Sequence, residues 1–203
     1  MNEDKNNAFF NFILTLGDLI LLNILFIIFS LPIITIGASC CSLYSVIKQI
    51  HFKTDSYLTK EFLAEFKNNF KNSTIIWIVF LTSLIPLRLL SYCFVNNFDN
   101  FLFLVIYIFI FIYFLFTLIY VFPLQATFSN TPFNIIKNSL ITALKHLPYT
   151  IILCVTTYSP FAITWLLPQY LYITFIYWIL IGFSITTYCS VIVTTQIFKE
   201  YID

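Results

Sequence analysis

Residues 101–122 read FLFLVIYIFIFIYFLFTLIYVF and carry no charged side chain. About 20 apolar residues, each rising 1.5 Å, carry a helix across a bilayer. The run is continuous, without the alternation of the roughly ten-residue strands of an outer-membrane barrel, so it predicts a membrane helix. Four more segments qualify: Phe10–Leu31, running on toward Ile36, then Thr74–Phe94, Leu147–Leu167 and Tyr170–Thr194. The reading is an all-α, polytopic transmembrane bundle of five spans, with residues 1–203 as one membrane domain.

Composition agrees with a lipid solvent. Hydrophobic residues make up 60% of the chain, charged residues 9%, and the mean hydropathy is +0.92. A soluble domain carries about a quarter of its residues as charges, and this chain has too few to cover a water-facing surface. The net charge of +1 lacks the basic stripe that nucleic-acid binding requires. The five cysteines are odd in number, show no CxxC spacing and mostly sit in apolar runs. They read as small buried hydrophobes rather than as a metal or redox site.

The opening MNEDKNNAFFNF does not resemble a cleaved signal. It is not basic, the apolar run after it is too long, and no A-x-A-like site follows. The first span is therefore expected to stay as an anchor. Gly37–His51, GASCCSLYSVIKQIH, opens with small residues and repeats Leu43, Val46, Ile47 and Ile50 at helical spacing. It is too polar and short for a lipid-facing span. It reads as a short membrane-associated or re-entrant helix, or as a sixth crossing. In Thr59–Asn72, Phe62, Leu63, Phe66 and Phe70 share one face and Lys60, Lys67 and Lys71 the other. That predicts an amphipathic helix at the cytoplasmic surface, capped by Thr59 and running on into the second span.

Lysine and arginine set the orientation. Lys48, Lys53, Lys60, Lys67 and Lys71 lie between the first two long spans, Lys137 and Lys145 in the Pro123–His146 loop, and Lys199 in the tail. The Val95–Asn100 and Pro168–Gln169 turns hold none. Cytoplasmic loops carry the excess of positive charge, so the large loops and the C-terminus are expected inside. Five spans put the N-terminus outside, and a sixth crossing brings it in. A shift of 74 positions lays Lys71 on Lys145, Thr82 on Thr156 and Pro86 on Pro160. This suggests a parallel repeat, 59–122 against 133–196, of the kind found in some transporters.

Asp18 and Arg88 are the only charges well inside predicted spans. Each costs ~2.5–3.5 kcal/mol at a helix centre on insertion scales, which marks it as a functional candidate. The alternatives are an Asp18–Arg88 pair, which needs the N-terminus outside, or separate roles: Arg88 snorkelling to the outer interface and Asp18 capping or hydrogen-bonding a neighbouring helix. Asn23 and Ser30 are seven residues apart and share a face suited to interhelical hydrogen bonds. Pro32, Pro86 and Pro160 are expected to interrupt or kink their spans. His51 and His146 lie in stretches with lysines and without acids or cysteines at ligand spacing, so they read as solvated or headgroup-facing. No GxGxxG, HExxH, GxSxG or P-loop occurs. No enzyme activity, cofactor or metal is expected. The helix carrying Phe62, Phe66, Lys67, Phe70 and Lys71 is suited to anionic lipid or to docking a partner.

The run GDLILLNILFIIFSLPIITIGASCCSLY and the later FLAEFKNNFKNSTIIWIV resemble the YesL-like family of bacterial integral membrane proteins. The matching positions are Asp18, Asn23, Ser30, Leu31, Pro32, Thr35, Ile36 and Gly37, then Phe62, Phe66, Lys67, Asn69, Phe70 and Lys71. Ala38-Ser39-Cys40-Cys41 departs from the family's Pro-Ala-rich helix start. The likeness is specific over roughly the first 80 residues and hydropathic beyond. It implies a multi-span plasma-membrane protein, accessory to carbohydrate uptake of the ABC type, whose partners are the bilayer and sugar-permease subunits. The family supplies no catalytic or ligand residues. The possible repeat, the prolines and Asp18 instead motivate a small-solute transporter or channel.

Overall fold

The structure, a computed structural model, describes residues 2–52, 57–96 and 101–202. Lys53 and positions 97–100 of the uncharged turn, both used in the orientation argument, lie outside these residues. The helices are α1 (Asn2–Ser30), α2 (Ile36–His51), α3 (Leu58–Asn96), α4 (Phe101–Thr127), α5 (Pro132–Lys145), α6 (Leu147–Leu166), α7 (Leu171–Tyr177) and α8 (Phe183–Ile202). A π-helical stretch, Trp178–Gly182, keeps the chain helical from α7 into α8. No strand occurs among the described residues.

Among the described residues six stretches, not five, are long and apolar enough to cross a membrane: Ile13–Ser30, Ile33–His51, Leu58–Tyr92, Leu104–Thr127, Leu147–Leu166 and Pro168–Tyr201. The additional one contains α2. Its polarity is accommodated by burial, since Gly37, Ala38, Ser39, Cys41, Ser42, Leu43, Tyr44, Val46 and Ile47 are all buried. Small residues let backbones approach closely where no hydrophobic force drives helices together in lipid. α2 packs against α1, α3, α4 and α8, which makes it the hub of the bundle.

Two apolar clusters meet at that hub. One gathers Leu22 and Phe26 of α1, Leu43 and Ile47 of α2, Phe62 of α3 and Val191 of α8. The other gathers Ile76 and Phe80 of α3, Tyr120 of α4, Ile135 of α5, Leu153 of α6 and Phe198 of α8. Cys40 of α2 packs on both. Outward faces are apolar too, with Phe109 at 77% exposure and Phe175 at 65%, as lipid contact requires.

Local chemistry places the breaks. Pro32 has no amide hydrogen and adopts extended φ −73°, ψ 117°, so α1 ends just before it. Of the two expected outcomes, interruption or a kink, Pro86 and Pro160 do not show interruption: α3 and α6 continue through them. Thr59 is not a cap, since the helix already includes Leu58, and the Glu61 amide bonds the Tyr57 carbonyl at 2.9 Å. The amphipathic stretch and the second span do form one helix, α3. Much of the Pro123–His146 loop is helical: α4 runs to Thr127, and α5 lies between Asn130 and His146 as a separate amphipathic helix. α5 buries Ile135, Ser139, Thr142 and Ala143 and exposes Phe133, Ile141 and Leu144.

Candidate functional site

Asn23 is wholly buried on α1 and faces the π-helical stretch. In a π turn the hydrogen bonds run to the fifth residue, so the ordinary helical ladder is interrupted. The Asn23 Nδ2 donates to the carbonyls of Trp178 at 2.9 Å and Ile179 at 2.7 Å. Its Oδ1 accepts the Ser184 amide at 3.1 Å. One carboxamide thus bonds three backbone groups, two within the irregular turn and one just after it. This is the interhelical role its position suggested. Ser30, seven residues along, has a buried Oγ with no partner among the described residues.

The turn after α1 is clamped to α3. Trp77 Nε1 donates to the Ile33 carbonyl at 2.7 Å. Thr35 Oγ1 sits 2.6 Å from the Phe29 carbonyl and 2.7 Å from that of Pro32, supplying the end of α1 with a hydroxyl donor. At Gly37 an added Cβ would fall 2.5 Å from the Ser73 carbonyl oxygen and 2.8 Å from Trp77 Cβ. Glycine is required there by the approach of two backbones. The Ser-Leu-Pro-Ile-Ile-Thr-Ile-Gly sequence is therefore a fitted joint between α1, α2 and α3.

The charged candidates are not brought together. Asp18 is partly exposed and Arg88 exposed, and no ion pair joins them among the described residues. On α3, Phe62 is fully buried and Phe66 half-buried; their ring centroids lie 5.7 and 5.0 Å from that of Phe29. Their apolar face thus packs largely on α1, while Phe70, Lys67 and Lys71 remain exposed. His146 is not solvated as expected but 9% exposed, where α5 gives way to α6. Its Nε2 lies 3.1 Å from Tyr201 Oη and 3.7 Å from Glu200 Oε2.

One recess among the described residues was not anticipated from the sequence. A cleft of about 740 Å³ opens where α3 passes the end of α4 and the start of α5. Five carboxamides line it, those of Asn68, Asn69, Asn72, Gln125 and Asn130. Asn69 Nδ2 donates to Glu65 Oε2 at 3.0 Å and to the Glu65 carbonyl at 3.2 Å, leaving its Oδ1 to accept Gln125 Nε2 at 3.3 Å. Gln125 is 6% exposed, and its Oε1 has no partner among the described residues. The signal available in the sequence was a lone Gln near the end of an uncharged helix, opposite asparagines spaced for one helical face.

Four cysteines, Cys40, Cys41, Cys154 and Cys189, are free thiols, buried or half-buried. No curated protein and no solved structure matches the chain. Residues 19–88 match a family described as "Protein of unknown function, DUF624", a stretch that starts just after Asp18 and takes in Asn23, the Pro32–Gly37 joint and Arg88.

Proposed function

We propose that this chain is a plasma-membrane accessory protein of the YesL-like kind, which holds a carbohydrate ABC permease rather than moving solute or catalysing a reaction itself. The supporting observation is the use of its buried polar side chains. Asn23 secures the π turn, Tyr44 Oη bonds Thr194 Oγ1 at 2.7 Å, and Tyr120 Oη bonds Thr150 Oγ1 at 3.0 Å. These contacts tie helix to helix, as a scaffold requires. The large loops and the C-terminus face the cytoplasm in this reading, by their lysines. With six crossings the N-terminus lies on the same side.

The test is affinity purification of the tagged chain from its native membrane in mild detergent, followed by mass spectrometry. Stoichiometric sugar-permease subunits are the expected result, and recovery of the chain alone overturns the accessory reading. A second reading, a small-solute transporter or channel, is favoured by a recess of about 130 Å³ lined by Tyr44, Thr157, Thr186, Thr187 and Ser190. Solute flux into vesicles of the purified chain, reduced by Asp18→Asn, is the result that would establish it.

A further inference from the structure

The geometry points to the carboxamide cleft between α3, α4 and α5 as a binding site for a neutral, polyhydroxylated ligand. The inference is independent of the partner reading, because it needs this chain alone. Its volume of about 740 Å³ is in the range of small-molecule sites, ~300–1,000 Å³. Among the described residues no charged side chain lines it: beside the five carboxamides stand Thr127, Ser129 and Thr131, which carry hydroxyls, and Phe128. A phosphate or carboxylate would find no cation in these walls, and an ammonium no carboxylate. Lys48 reaches Thr127 Oγ1 at 3.5 Å from α2 but does not line the cleft.

A carboxamide presents donors and an acceptor side by side, and a hydroxyl is likewise both. A row of amides and hydroxyls therefore matches a row of ligand hydroxyls without charge. One position is already set. The Glu65–Asn69–Gln125 chain fixes which end of the Gln125 amide is engaged, so Oε1 is left as an acceptor awaiting an O–H. Burying an acceptor unsatisfied costs ~1–3 kcal/mol, and a ligand hydroxyl reached by a small turn of the side chain would offset it. Phe128, half-buried with its ring against that of Phe198 at 5.5 Å, adds apolar surface at the cleft wall.

The ligand hydroxyls can belong to a free sugar or polyol or to a glycolipid headgroup, and the experiment separates these sources. The full chain is purified in a zwitterionic detergent, since a maltoside detergent would itself compete. It is titrated calorimetrically with maltose, glucose and myo-inositol. In parallel it is reconstituted in phosphatidylglycerol vesicles with and without diglucosyl-diacylglycerol, and thermal unfolding is followed. Saturable binding of a free compound supports a soluble ligand, and stabilisation by the glycolipid alone supports a headgroup. In either case Asn68→Trp, at an exposed position on the cleft wall, should weaken binding at least tenfold while leaving the unliganded melting temperature unchanged. Gln125→Leu should weaken it similarly. Absence of binding in every arm overturns the proposal, as does binding that Asn68→Trp leaves intact.

Discussion

Asn23 Nδ2 lies 2.7 Å from the carbonyl oxygen of Ile179, so a side chain of the first helix completes the backbone of the last helical run. Asn23→Leu keeps the size and removes three hydrogen bonds at once, leaving the Trp178 and Ile179 carbonyls and the Ser184 amide without this partner. Interhelical hydrogen bonds in membranes are worth ~0.6–2 kcal/mol. Because the groups are bonded together, the loss should total ~2–3 kcal/mol of stability in detergent unfolding. A change below ~0.5 kcal/mol would show that the π turn satisfies itself.

The two glycines of the first hairpin should respond in opposite ways. Gly37→Ala drives a methyl to 2.5 Å from a backbone oxygen of α3, an atom that cannot swing aside. Overpacking of this sort costs ~1–3 kcal/mol. Gly17→Ala meets nothing within 4 Å and replaces a poor helix former with the best, a gain of up to ~1 kcal/mol. Equal effects in thermal melts of the two variants would contradict the joint described around Gly37.

How far the sequence could be read follows from what each residue reports locally. The long uncharged runs and the break at Pro32 were legible because length, polarity and a missing amide are local properties. α2 was read as too polar for a lipid-facing span, since hydropathy cannot distinguish exposure to lipid from burial among helices; its Ser39 and Ser42 are buried. Pro86 and Pro160 carry the same chemistry as Pro32, yet the helix on either side of each is long enough to continue past the lost bond. The role of Asn23 as a helix linker was visible, but its partner was not: Trp178 and Ile179 are more than 150 positions away and contribute only backbone. The cleft was hidden for the same reason, because Asn69 and Gln125 meet only once α3 and α4 pack.

Asp18 and Arg88 should behave as independent sites. Without a salt bridge between them, the Asp18→Asn and Arg88→Gln effects on stability should add within ~0.3–0.5 kcal/mol in a double-mutant cycle. A coupling beyond ~1 kcal/mol would mean that the two charges meet in the membrane.

α5 and α8 meet where Lys145 approaches Glu200 and Tyr201. Lys145 Nζ stands 4.7 Å from the centre of the Tyr201 ring and 3.6 Å from Glu200 Oε2. The Tyr201 hydroxyl, more than the Glu200 carboxylate, holds the Lys145 ammonium above its ordinary value of 10.5. A cation whose folded pKa is raised contributes its stability below the unfolded pKa and loses it as pH climbs through the folded one. The contact is therefore fully present at neutral pH and fades only in strongly alkaline solution. Tyr201→Phe keeps the ring and removes the hydroxyl, so the side-chain ¹⁵N titration of Lys145 should move down toward its ordinary value. Glu200→Gln should move it less. If Glu200→Gln lowers the titration more than Tyr201→Phe does, the carboxylate and not the phenol is the principal partner.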